Sequence, residues 1–288
     1  MPATTFVPHH ARVTAPGATP DRHLLLCHGI LGSGANFRSF ARRLAERCPR
    51  WGFVLCDLRC HGASQGAPPP HTVESAARDL VALGEALHDE HGVTIDGVLG
   101  HSFGGKVALQ YLDLRRTAKS PLDLAFILDA SPSRKPGGGD EETSAAVIRM
   151  LRALPDPLPS RERFVSLVME RGFSKDIADW LAMNVRLGEG GLRFRLDLDA
   201  IEALLGDYFA QDLWPVLEDP GSARALHVIL GGRSDTVSAE DRARLATLPW
   251  VHTEVIAQAG HWVHVDAPDA LLALVGRGLS NALDASAK

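Results

Sequence analysis

The chain has 288 residues, 45% of them apolar and 23% charged, with a net charge of −5. This length and balance exclude a fibrous repeat and a disordered chain, and they suffice for a sizeable core. The acidic balance, with no Lys/Arg-dense run, excludes a non-specific nucleic-acid binder. No apolar run approaches the ~20 residues that cross a bilayer, so no membrane partner is expected. Only four cysteines occur, Cys27, Cys48, Cys56 and Cys60. They form no disulfide framework and point to a reducing compartment. The N-terminal residues lack the charged and apolar regions of a secretory signal and are weak as a transit peptide. The expected location is therefore the cytoplasm, with a mitochondrial or plastid matrix still open.

Short apolar runs alternate with amphipathic ones. HLLLCHG (23–29), GFVLCD (52–57), VTIDGVLG (93–100), LDLAFILD (122–129), ALHVILGG (225–232) and HTEVIAQ (252–258) read as buried strands. Helical patterns lie between them at 36–47, 72–91, 103–116, 239–246 and 268–279. In the second, Val73, Ala76, Ala77, Leu80, Leu83, Ala86 and Leu87 recur at three- and four-residue spacing. The alternation predicts an α/β fold, a doubly wound, mostly parallel sheet with helices on both faces. From 131 to 219 the alternation stops. SRKPGGGDEE (133–142) reads as a mobile linker, followed by helices near 142–153, 160–170, 175–186 and 200–209. The expected organisation is a core of 1–130 and 220–288 carrying a helical lid of 131–219 between two core strands.

Sites on such sheets lie at the carboxyl ends of the strands. There the sharpest signal is Gly100-His101-Ser102-Phe103-Gly104. The G-x-S-x-G pattern seats a serine on a tight strand-to-helix turn. A serine needs a base and a group that orients the base. His261, at the end of the last strand and after Gly260, is the expected base, with His264 as its rival. Asp129, closing FILD, and Asp235, following LGGRS, both fit as the acid. The amides of Ile30 and Phe103 are the expected oxyanion donors. His28, Gly29 and His101 are expected to border the substrate, although the His101 side chain should point away from Ser102. Asp57-Leu58-Arg59-Cys60-His61-Gly62 reads as a loop support. Cys56, Cys60 and His61 lack a second ligand pair, so no metal is expected. Lys106 reads as a helix-surface group or a support for the turn.

HGILGSGANF, DLRCHGAS, GHSFGGKVAL, LGGRSDTV and AGHWVH together resemble the α/β-hydrolase superfamily, in its order and over residues 23–280. FILDASP, GGRS and AGHWVH bring the chain nearest to a branch of small esterases and acyl-thioesterases of bacteria, with mitochondrial relatives. That resemblance implies Asp129 as the acid, with Ser234 supporting the histidine and Asp235 as the alternative. It also implies a serine hydrolase that needs no cofactor and takes a small acyl ester or thioester. Other reactions on the same triad are the alternatives, namely C–C bond hydrolysis and cofactor-free perhydrolysis, as is a low-activity ligand receptor. Monomer and homodimer are equally compatible with the sequence.

Overall fold

The computed structural model describes residues 6–135, 137 and 139–286, with the side chains at 139–142 and 286 left aside. The first half of the chain runs β1 (His10–Val13), β2 (Arg22–Cys27), α1 (Arg38–Arg47), β3 (Trp51–Cys56), α2 (Val73–His91), β4 (Gly97–His101), α3 (Phe103–Thr117) and β5 (Leu122–Leu128). An insertion follows, made of α4 (Gly139–Arg152), α5 (Arg161–Met169), α6 (Lys175–Ala182), β6 (Val185–Gly188), β7 (Gly191–Phe194), α7 (Leu198–Ala210) and α8 (Trp214–Glu218). The chain returns through β8 (Ala223–Gly231), α9 (Ala239–Leu245), β9 (Val251–Ile256), α10 (Val263–Asp266) and α11 (Pro268–Ser286).

Seven strands form one sheet in the order β1-β3-β2-β4-β5-β8-β9, and all pairings are parallel except that of β1 with β3. Successive side chains of a strand face opposite ways. In β2, Leu24 and Leu26 therefore enter the core under α1 and α11, while Leu25 and Cys27 enter the core under α2 and α3. Burial on both faces explains why these strands read as continuous apolar runs. α2 starts at Thr72, whose hydroxyl accepts from the Ser75 amide, and ends at Gly92 in the left-handed conformation at φ +65°.

The register positions the site. Cys27 pairs with Gly100, His101 with Leu128, and Leu128 with Ile229. The carboxyl ends of β2, β4, β5 and β8 therefore share one edge, and Ser102 and Asp129 leave the sheet side by side.

The structure differs from the sequence reading in several places. The helix expected over 175–186 stops at Ala182, and the chain turns into the β6–β7 hairpin through Gly190 and Gly191, both at positive φ. β1 and α8 were not foreseen. Within the stretch 133–142, expected as a mobile linker, Lys135 is tied into the fold and a helix, α4, begins at Gly139. The Lys135 amide donates to Phe209 O, and its ammonium donates to Thr236 O. Residues 136 and 138 of that stretch lie outside the described residues. All four cysteines are free and buried. Among the described residues no helix is long and apolar enough to cross a membrane.

Candidate active site

Ser102 stands between β4 and α3 with φ 54° and ψ −119°. An L side chain seldom adopts such a backbone, so the turn holds strain. Its glycines are sterically required. A Cβ on Gly100 would sit 2.1 Å from Gly104 O, and one on Gly104 would sit 2.5 Å from both Cys27 O and His28 O. α3 can fold back on β4 only if Gly100 lacks a side chain, and it can approach the end of β2 only if Gly104 does.

His261 lies in the loop between β9 and α10. Its Nε2 is 3.0 Å from Ser102 Oγ, and its Nδ1 is 2.7 Å from Asp129 Oδ2. An Nδ1–H donating to the carboxylate leaves Nε2 free to accept the serine proton, and this network sets the tautomer. Asp129 has no exposed surface and a backbone φ of 43°. Its Oδ1 accepts from the Gly231 amide at 3.0 Å and its Oδ2 from Ser234 Oγ at 2.5 Å. Three donors on one buried carboxylate compensate its lost hydration. Asp235 is exposed and has no hydrogen bond or ion pair with His261 among the described contacts. The sequence reading missed Thr236, whose Oγ1 is 3.0 Å from His261 Nδ1. No spacing signal singles it out.

The loop after β2 carries Ile30. Its conformation is held from below by the motif after β3. His61 Nε2 accepts from the Leu31 amide at 3.0 Å, and Asp57 Oδ1 accepts from the Gly34 amide at 2.7 Å. Leu31 itself adopts φ 60°. Asn184, from the insertion, donates to Leu31 O at 2.8 Å. Among the described residues, the amides of Ile30 and Phe103 have no protein acceptor, and both residues line the cavity above Ser102.

Two neighbouring imidazoles, His28 and His101, bond to backbone within the fold. His28 Nδ1 donates to Gly29 O and its Nε2 accepts from the Leu58 amide. His101 Nε2 donates to the backbone O of His261 at 2.8 Å. His264, the rival base, packs its ring 4.9 Å from those of His101 and Phe37, and no hydrogen bond joins it to Ser102 among the described contacts. Burial pushes His28 and His101 below the usual imidazole range, and His264 down to about 4. These three rings are neutral near pH 7. Lys106 is no surface group: it is 1% exposed.

The cavity over Ser102 has a volume of about 540 Å³. Its floor is Gly29, Ser102 and His261, while α4, α6 and α7 of the insertion supply Val147, Trp180 and Phe209. The Trp180 ring lies 6.0 Å from that of Trp262, which follows His261. The site is thus a walled, mainly apolar pocket with a serine–imidazole–carboxylate chain at its base.

The profile of the alpha/beta hydrolase family matches residues 24–274, and the chain belongs to that family. Among curated proteins it is 30% identical over 263 residues to the sn-1-specific diacylglycerol lipase ABHD11 of Xenopus tropicalis, covering 87% of this chain and 75% of that protein. It is 26% identical to Esterase YbfF of Escherichia coli, covering 93% of this chain and 97% of that protein. Among solved structures, a marine microorganism esterase superposes with a TM-score of 0.78 at 20% identity, covering 95% of this chain and all of that one.

Proposed function

We propose that the protein, a carboxylic ester hydrolase, works through an acyl-enzyme formed on Ser102, with His261 as general base and Asp129 as the acid that orients it. The observation carrying this reading is the continuous contact from Ser102 Oγ through the His261 ring to Asp129, at 3.0 and 2.7 Å. Ser102 Oγ attacks the acyl carbonyl while His261 Nε2 takes its proton. The amides of Ile30 and Phe103 donate to the oxyanion. The tetrahedral intermediate collapses, and His261 returns the proton to the leaving alcohol or thiol. Water, deprotonated by His261, then attacks the acyl carbon and releases the acid. The Asp129 carboxylate holds the ring and stabilises the imidazolium.

Residues 131–219 form the lid of this pocket, and the core of 1–130 and 220–288 carries the reacting groups. The apolar wall of Val147, Trp180 and Phe209 suits the acyl chain of a small ester or thioester. His28 and Gly29 shape the loop that presents the Ile30 amide, and His101 fixes the His261 backbone from behind. Ser102→Ala assayed on p-nitrophenyl butyrate tests the reading. The expected result is a fall in kcat of about ten-thousandfold or more with the fold retained. A variant within tenfold of wild type would overturn it.

A further inference from the structure

Lys106 lies in the first turn of α3, four residues after Ser102. There a cation opposes the positive end of the helix dipole, and burial removes its hydration. Both penalties are offset at the far end of the side chain. Nζ donates to Tyr208 O at 2.7 Å, to Ser133 O at 2.8 Å and to Gln211 O at 2.8 Å. An ammonium has three N–H groups, and all three are used. Tyr208 O and Gln211 O belong to the last turn and cap of α7, where carbonyls lack helical partners and the dipole is negative. Ser133 lies where the chain leaves the core for the insertion, and Gln211 lies where it starts back. Lys106 therefore joins the helix behind Ser102 to both ends of the insertion's neck.

Other contacts in the neck join its two segments to each other, to α9 or to the loop before α9. The Leu213 amide donates to Pro132 O at 2.9 Å, Trp214 Nε1 donates to Ser133 Oγ at 2.8 Å, and Ser133 Oγ donates to Asp241 at 2.5 Å. The Tyr208 ring sits 4.6 Å from the Lys106 ammonium and 5.8 Å from the ring of Phe103. Tyr208 and its neighbour Phe209 line the cavity.

We propose that Lys106 is a positioning residue: its ammonium, shared among three neck carbonyls, holds the Tyr208–Phe209 wall over Ser102 so that the pocket can grip an acyl chain longer than acetyl. The proposal rests on the reading of 131–219 as the lid of an ester-hydrolysing pocket. Burial brings the Lys106 pKa down to about 8. Asp212 in the neck, Asp241 on α9 and Asp207 on α7 favour the ammonium, while Lys135 in the first neck segment opposes it. Above that pH the neutral amine has two N–H groups for three carbonyls, and the wall loosens.

The test compares p-nitrophenyl acetate with p-nitrophenyl hexanoate. In Lys106→Met, KM for hexanoate rises about tenfold, whereas kcat and the acetate parameters stay within about threefold. In wild type, KM for hexanoate rises from pH 7 to 9.5 and KM for acetate does not. The folded Met variant lacks this rise. A folded Met variant with unchanged hexanoate KM overturns the proposal, and so does an equal loss of kcat on both esters. If the variant does not fold, the wild-type pH series decides, and a flat hexanoate KM overturns the proposal. A wild type inactive on both esters overturns the proposed function as well. An active wild type with an indifferent variant removes Lys106 alone.

Discussion

Asp129 and Asp235 both follow strands that end at the same sheet edge, so the chain pattern alone leaves two candidates for one role. Their surroundings separate them. Asp129 is buried and receives Ser234, the Gly231 amide and His261, whereas Asp235 is exposed. A carboxylate that orients an imidazole must be held fixed itself, and only Asp129 has donors doing so. Asp129→Asn is expected to lower kcat about ten-thousandfold, by analogy with an orienting carboxylate whose amide imposes the wrong tautomer. Asp235→Asn should stay within about twofold. Equal, mild losses in p-nitrophenyl butyrate assays of the two variants would contradict the assignment.

At the scale of elements, the core strands were legible because burial on both faces leaves short apolar runs ending in Gly, His or Asp. Ser102 and His261 were legible as residues just beyond such runs. β1 was not, because His10–Val13 is a half-exposed edge strand without an apolar run. The β6–β7 hairpin was hidden because Leu187 is 78% exposed, so its apolar residue marks no core face. Lys106 was misread because its partners are carbonyls about 30 and 100 positions away. Its one local signal was a cation in the first turn of a helix. The motif after β3 was legible as a support. Arg59 and Asp79 pair at 2.6 and 3.0 Å, both nearly buried, and Arg59 also donates to Pro70 O. This joins the loop beneath Ile30 to α2. Asp79→Ala leaves a buried guanidinium unpaired and should cost about 3–5 kcal/mol in denaturant unfolding. A loss below about 1 kcal/mol would show that α2 and the loop are held by packing alone.

Over the whole molecule, burial keeps several imidazoles neutral. It lowers His227 and His264 to about 4 and His61 to about 3. Unfolding returns each ring to its ordinary value near 6.5, so between these limits the unfolded chain binds more protons. The stability is present above pH 6.5 and is lost as pH falls toward 4, with each pKa unit worth about 1.4 kcal/mol. Thermal unfolding should show Tm falling steeply between pH 6.5 and 4.5. His227→Phe, remote from the pocket, should flatten that fall, and an unchanged slope would contradict the linkage. Geometry selects the base, because His261 is the imidazole in hydrogen-bond contact with Ser102 Oγ. The whole account depends on Ser102 Oγ being activated by that ring. The most direct measurement is labelling with a fluorophosphonate followed by mass spectrometry of the peptides. The account predicts one phosphonyl adduct on Ser102, slowed in His261→Ala and absent in Ser102→Ala. An adduct on another serine, or full labelling of Ser102→Ala, would contradict it.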